Sequence, residues 1–337
     1  MRKLLVCFFC VAAVGANAQD DLNDLLKGSL SDANKLIEGY TAPALKAFGY
    51  GLNQGWYNTA KPHKTLGVDL TISVSAVSIP NSDLFFKVNN SQFSNLEVLS
   101  VGGVPPDNSG NSNLPTIFGP DTKPTFYIPS TDESFEGPGG IDLKKEIGIQ
   151  AMPVPIANLG IGLPKGFDLK LRFVPTLQLG DDSEFNLFGI GVMHDVKQYI
   201  PGIKNLPFDL SGFVGYTKMK LNVDLNVQSG SNQRAVFESS ATTIQGLISK
   251  KISVLTFYGG IGYNLANTKI AMLGAYDLDE DGQTDVTDPI NLKVDANGLR
   301  TTLGMRLKLA VITLHGDYTI QKSNYNTITV GFGINVR

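Results

Sequence analysis

The last forty residues alternate between apolar and polar side chains in three successive runs. Leu299, Leu303, Met305, Leu307 and Leu309 are interleaved with Arg300, Thr302, Gly304, Arg306 and Lys308. Ile312, Leu314, Tyr318 and Ile320 then stand against Thr313, His315, Asp317 and Thr319. Ile328, Val330, Phe332, Ile334 and Val336 stand against Thr327, Thr329, Gly331, Gly333 and Asn335. A strand sends successive side chains to opposite faces, so each run is a ribbon with one oily and one wet side. Each is close to the ~9–11 residues with which a tilted strand crosses hydrocarbon. A soluble sandwich alternates too, so the start of the chain, its cysteines and its loops must decide between them.

Residues 1–18 read as a cleaved export signal: Arg2 and Lys3, an apolar stretch from Leu4 to Val14, then Ala16-Asn17-Ala18 before Gln19. No later apolar run is long enough for a membrane helix. Both cysteines, Cys7 and Cys10, fall inside this signal. The remaining chain therefore uses no disulfides and does not look like a small stapled scaffold. The net charge of −3 becomes −5 once Arg2 and Lys3 are gone, which argues against a nucleic-acid partner. Near-neutral mean hydropathy (+0.01) suits a barrel whose outward apolar residues are averaged against inward polar ones.

Residues 19–47 form an N-terminal helical segment, with Leu22, Leu25, Leu26, Ala33, Leu36, Ile37 and Tyr40 at helical spacing. Gly39 is placed to end the helix, and Pro43 could start a second short turn. In a barrel this element lies in the periplasm or folds into the lumen as a plug; in a soluble domain it is an ordinary core helix. Residues 48–337 read as β. The pattern predicts strands at 48–58, 65–79, 95–102, 147–162, 167–178, 185–196, 208–227, 235–250, 252–272, 290–309, 311–321 and 327–336. The connections 80–94, 163–166, 197–207, 250–251 and 310–311 are mostly compact. Those at 103–146, 179–184, 229–234 and 273–289 are longer or more polar, as in outer-membrane barrels with short turns on one side. That parity places both chain ends in the periplasm. The long loop 103–146 carries Phe118, Phe126, Tyr127 and Phe135, which suggest folding over or into the barrel mouth, with plain disorder as the alternative.

The sharpest local motif runs from Asp277 to Asp288. Asp277, Asp279 and Asp281 occupy positions 1, 3 and 5 of a twelve-residue calcium loop, and Gly282 position 6. Gln283 supplies a carbonyl at position 7, with Asp285 at 9 and Asp288 at 12. Aspartate replaces the usual glutamate at position 12 and Pro289 follows, so the expectation is structural Ca²⁺ in a loop between strands, not a helix-loop-helix sensor. The competing reading is a solvated acidic loop.

No catalytic residue is expected. His63, His194 and His315 lack metal-ligand spacing and nucleophile motifs. His315 and Asp317 share a strand face, which ordinary lumen polarity explains. Arg172, Arg300, Arg306, Lys170, Lys220 and Lys308 fall on predicted polar faces with Asp168, Asp224 and Asp317. They read either as a charged translocation path or as a salt-bridged, closed interior.

The run from Gly51 to Lys64, including Gly55-Trp56-Tyr57-Asn58-Thr59 and Pro62-His63, resembles the start of an uncharacterised family of outer-membrane β-barrel proteins from Bacteroidota. Gly160-Ile161-Gly162-Leu163-Pro164, His194-Asp195, Ile200-Pro201 and Leu314-His315 extend that resemblance over most of the chain. More distantly, an exported barrel with a helical start is similar to the long-chain fatty-acid transporter superfamily. That likeness implies about fourteen strands, a plug and passage of hydrophobic molecules. The chain departs from it by ending on Val336-Arg337, not on an aromatic residue, and by its lower strand count.

The expectation is an all-β, transmembrane, antiparallel outer-membrane barrel of about twelve strands, within a range of ten to fourteen. Its function is passive transport of hydrophobic or small solutes, or else a structural or assembly role. In the latter it binds partners through calcium-stiffened surface loops or its periplasmic face. The expected partners are the outer-membrane lipid bilayer, a hydrophobic small molecule, or an outer-membrane or periplasmic protein.

Overall fold

The computed structural model describes residues 29–336 apart from 179, 181, 226–232 and 279–280. The export-signal reading of residues 1–18 and the helical reading of Leu22, Leu25 and Leu26 fall outside the described residues. The described residues open on helix α1 (Leu30–Leu52), whose N-cap Ser29 accepts a hydrogen bond from the Asp32 N–H. The helix does not stop at Gly39, nor restart at Pro43, as its sequence suggests. It continues to the C-cap Asn53, so the strand expected at 48–58 is half helix and half extended lumen chain. Gly39 serves close packing instead: a Cβ there would lie 2.3 Å from the ring of Phe86.

Strand β1 (Val68–Ser78) opens the wall. The chain then leaves it to build a cap from β2 (Phe85–Asn89), β3 (Glu97–Val101), β4 (Asn111–Pro115), β5 (Pro124–Ile128), β6 (Glu133–Glu136) and helix α2 (Leu143–Ile147). β2 pairs with β4, and β3, β5 and β6 form a second small sheet. Leu96, Val98, Leu114, Phe126 and Ile128 of the cap bury Leu36 of α1 in a shared apolar core. The aromatic loop therefore folds over the mouth. The strand expected at 95–102 is real but belongs to the cap. The connection at 80–94 is likewise part of the cap and not a tight turn.

The wall resumes with β7 (Ala151–Leu163), β8 (Phe167–Gln178), β9 (Ser183–Asp195), β10 (Asp209–Asp224), β11 (Arg234–Ile252) and β12 (Leu255–Leu273). After a small β13 (Ala275–Tyr276) and β14 (Val286–Thr287) hairpin come β15 (Ile290–Asp295), β16 (Gly298–Leu309), β17 (Ile312–Gln321) and β18 (Thr327–Val336). Each stave pairs antiparallel with its sequence neighbour, and β1 closes the ring on β18 with Val68 opposite Val336. β15 and β16 both pair with β12 and form one interrupted stave. The barrel thus has ten staves, the lower end of the expected range. Removing 48–58 and 95–102 from the twelve sequence-based strands accounts for the difference.

Apolar side chains cover the outside. Phe173, Ile261 and Leu303 are 70%, 68% and 67% exposed, and the outward rows of the neighbouring staves are apolar as well. A belt of this extent is too large for a water-facing surface without a partner. Inside lie buried Thr71, Ser73, Thr217, Thr243, Thr302 and Thr329.

This polarity reverses toward the cap. Met219, Leu221 and Phe237 point inward onto α1, while Lys218, Lys220 and Glu238 point outward and Lys218 pairs with Glu238. Lys220 and the exposed Asp224 are therefore not lumen charges. The long staves β10 and β11 outrun the oily belt, so their outer ends face water.

Candidate functional site

The site is the lumen, filled by α1 and the extended chain 53–66. Asp32 fixes the top. Its carboxylate accepts the backbone N–H of Ser94 (2.7 Å) and Asn95 (2.9 Å) and the Ser94 hydroxyl (2.9 Å), tying the helix start to the cap. Burial opposes its ionisation, but these hydrogen bonds and nearby Lys35 outweigh it, holding the carboxyl below its ordinary value. Such a group stabilises fully above the unfolded value of ~3.9 and loses that contribution as pH falls through its folded value. Cap resistance to protease is therefore expected to hold from neutral pH to about 4 and drop below it, a loss that Asp32→Asn shows already at neutral pH. An Asp32→Asn profile matching the parent would remove this latch.

At mid-lumen the helix ends between two arginines from different parts of the wall. Arg172 of β8 is fully buried. It donates to the Leu52 carbonyl (2.6 Å), the Gln54 carbonyl, the Asn158 side chain (2.6 Å) and the Thr217 hydroxyl (3.2 Å). Its guanidinium stacks 3.5 Å over Trp56. Arg300 of β16 donates to the Asn53 carbonyl (2.8 Å) and to the Gln54 side-chain oxygen (2.7 Å). The last turn of α1 has no basic residue of its own, so these wall arginines supply the positive charge that a helix C-terminus favours. Neither arginine forms an ion pair with a carboxylate among the described residues.

Below them Tyr57 donates to Gln245 of β11 (2.6 Å), and Ser211 of β10 donates to the Ala60 carbonyl (2.6 Å). At the lower end His63 meets Asp168 at 2.7 Å and Asp69 at 3.4 Å. Lys170 bridges the same two carboxylates, at 3.0 Å from Asp69 and 3.4 Å from Asp168. Gly160 makes room for this cluster, since a Cβ there would lie 1.9 Å from the Asp69 carboxylate. Gly55 approaches Ser73 of β1, Gly51 meets Val77 and Val154, Gly49 meets Ala266, and Thr319 reaches Gln54. With Trp56 beside Gly191 and Asn335 on His63, each of the ten staves touches the luminal segment.

The charges singled out from sequence divide accordingly. Arg172, Arg300, Arg306, Lys170 and Asp168 are buried inside, and Arg306 donates to Asn58 at 3.0 Å. Lys308 sits half-buried at the lower rim on Asn335. Asp317 accepts from Tyr258 (2.9 Å), not from His315. The hydrogen-bonded His–Asp pair is His63–Asp168, and the remaining His63 nitrogen is taken by Asn335. No chemical signal in the sequence marked His63 as the lower anchor.

In the acidic loop, Asp277 accepts the N–H groups of Asp281 (3.2 Å) and Gly282 (2.7 Å), and Asp281 accepts that of Gln283 (2.8 Å). Asp285 accepts from Leu278 (2.7 Å), and Asp288 from the Gly274 N–H (2.8 Å). Asp279 lies outside the described residues. Among the described residues no cluster of three His, Cys, Asp or Glu side chains is set to hold a metal. The loop is clamped by β13 and β14, without flanking helices.

The translocator domain of the autotransporter NalP from Neisseria meningitidis is similar over 87% of this chain and 93% of its own, at 9% identity and a TM-score of 0.27. Pseudomonas putida OprB matches over 82% and 94%, at 8% and 0.17. The P. putida toluene transporter TodX matches over 80% and 89%, at 8% and 0.15. Likenesses this weak carry no inference about function. No curated relative matches the chain. Residues 1–336 match a single family description end to end, and the chain belongs to that family of unknown function, DUF6588.

Proposed function

We propose that this chain is an outer-membrane barrel closed by its own N-terminal segment, a non-conducting scaffold that presents its cap to a protein partner at the cell surface. One observation carries the reading: every stave grips the segment filling the lumen, and two buried arginines hold its middle. The outward apolar belt supports a membrane setting. The short turns at 164–166, 253–254 and 310–311 support a periplasmic lower end. Transport of hydrophobic molecules, as the fatty-acid transporter resemblance implies, would require chain 53–66 to leave its hydrogen bonds. In planar bilayers and liposome-swelling assays the intact protein is expected to show no conductance and no sugar or fatty-acid uptake. Steady conductance or uptake would overturn this reading in favour of a transporter.

Calcium is proposed as a stiffener of the 277–288 loop, supported by ligand spacing and by the inward turns at Asp277 and Asp281. Asp277, Asp281, Asp285 and the Gln283 carbonyl are the described groups at ligand positions; their carboxylates are not gathered into a set of three, so binding would have to draw them together. Chelation should speed proteolysis within this loop several-fold, and Asp277→Ala should abolish that response. Equal cleavage with and without chelator removes calcium from the account.

A further inference from the structure

Charge is distributed very unevenly between the two ends of the barrel. After residue 18 the chain has 26 Lys and Arg against 31 Asp and Glu. Lys61, Lys64, Lys165, Lys204, Lys250 and Lys251 are all exposed at the short-turn end. Lys197 and Lys308 lie there too, half-buried on carbonyl and amide oxygens. Among the described residues Asp195 and Asp209 are the acidic side chains at this rim, apart from the buried Asp69 and Asp168 that Lys170 and His63 already neutralise. Lys165 lies in the 164–166 turn and Lys197 and Lys204 in the 196–208 connection, while Lys250, Lys251 and Lys308 stand in the strand ends that flank the 253–254 and 310–311 turns, so the charge forms a collar and not a patch.

The same turns expose apolar groups beside the lysines: Leu66, Tyr199, Ile200, Leu206, Val254 and Val311. Lys250 stands in the outward row between Ile248 and Ile252, both about half exposed. A lysine whose stem lies along such a row carries its ammonium to headgroup level. Oily side chains and ammonium groups alternating on one rim match the boundary between acyl chains and lipid phosphates. Among the described residues none of the six exposed lysines is ion-paired with a carboxylate.

We propose that this collar binds the phosphates of anionic phospholipids in the leaflet surrounding the short-turn end. The inference rests on the membrane reading above and adds a lipid class to it. Attraction scales with the number of lysines at the surface, and a zwitterionic headgroup offers no net charge to receive them.

Native mass spectrometry of the full protein in detergent tests this with phosphatidylglycerol and phosphatidylethanolamine at equal mole fraction. Phosphatidylglycerol adducts should dominate by about fivefold or more. The combined variant Lys165→Gln, Lys204→Gln, Lys250→Gln, Lys251→Gln should bring the two lipids to parity. A matched cap variant, Lys87→Gln, Lys123→Gln, Lys144→Gln, Lys145→Gln, should keep the preference, as should millimolar inorganic phosphate. Equal adducts for the two lipids, or a preference surviving in the collar variant, overturns the proposal. So does erasure by inorganic phosphate, which would mark a small-anion site, or loss in the cap variant. Gel heat-modifiability confirms that each variant is folded. Carbonate washing of cell membranes tests the membrane setting separately: a protein that stays in the membrane yet shows no lipid preference sinks only the collar.

Discussion

Replacing Arg172 and Arg300 together by glutamine is expected to loosen the plug and lower the stability of the barrel by roughly 3–5 kcal/mol. Arg172 alone holds the Leu52 and Gln54 carbonyls, and Arg300 holds that of Asn53. Glutamine is too short to reach them from the wall. Each buried acceptor left without a partner costs ~1–3 kcal/mol. The stack on Trp56 and the positive charge at the helix end are lost as well. Urea titration in liposomes should show a lower midpoint, and bilayers should show brief openings that the parent lacks. Lys87→Gln on the exposed cap is the neutral control. An unchanged midpoint with silent bilayers would mean that the guanidiniums are not what holds the segment.

Leu303→Arg has the second largest expected effect. Leu303 lies within the outward belt, opposite Gly259 and Tyr318 on the neighbouring staves. On a water-facing sheet an exposed leucine accepts arginine within about 0.5 kcal/mol. Facing hydrocarbon near the bilayer midplane, the same change costs ~2–4 kcal/mol. Folding into liposomes should fall accordingly. Lys220→Leu, on the water-facing extension of β10, should change little. A neutral Leu303→Arg combined with a soluble parent protein would remove the membrane from the account.

These two substitutions sit on opposite sides of what the sequence makes legible. Alternation reports the period of a strand faithfully, which is why the ten staves are found near their true bounds. It does not report which parity faces inward. Along β10 the odd positions Met219 and Leu221 are apolar and point in, because α1 fills the upper lumen and water surrounds the wall there. Lower in the barrel, outward Val214 is the apolar one and inward Thr217 the polar one. The same ribbon changes sign at the edge of the belt.

The stretch 48–58 fails for another reason. Its apolar and aromatic residues suit a strand, yet Phe48 packs as helix on Phe237, and Trp56 and Tyr57 pack on Phe213 in extended chain without a ladder. Arg172 and Arg300 stand out in the sequence as charges on polar faces. Their partners include the main-chain carbonyls of Leu52, Asn53 and Gln54, more than a hundred residues away, and no side-chain pattern encodes an acceptor of that kind. The acidic loop shows the converse. Its spacing is legible at once, while its hairpin base, Ala275 opposite Thr287, is too short to announce itself.

The closure of β1 on β18 has a consequence for how the molecule is made. Residues 68 and 336 must meet to seal the ring, so the seam forms only when the final stave has arrived. The chain that ends up in the middle precedes the first stave and is gripped from every side. It follows that a ring sealed by this pair encloses its own axle: residues 30–66 leave the lumen only by threading out through an end of the barrel or by opening the seam.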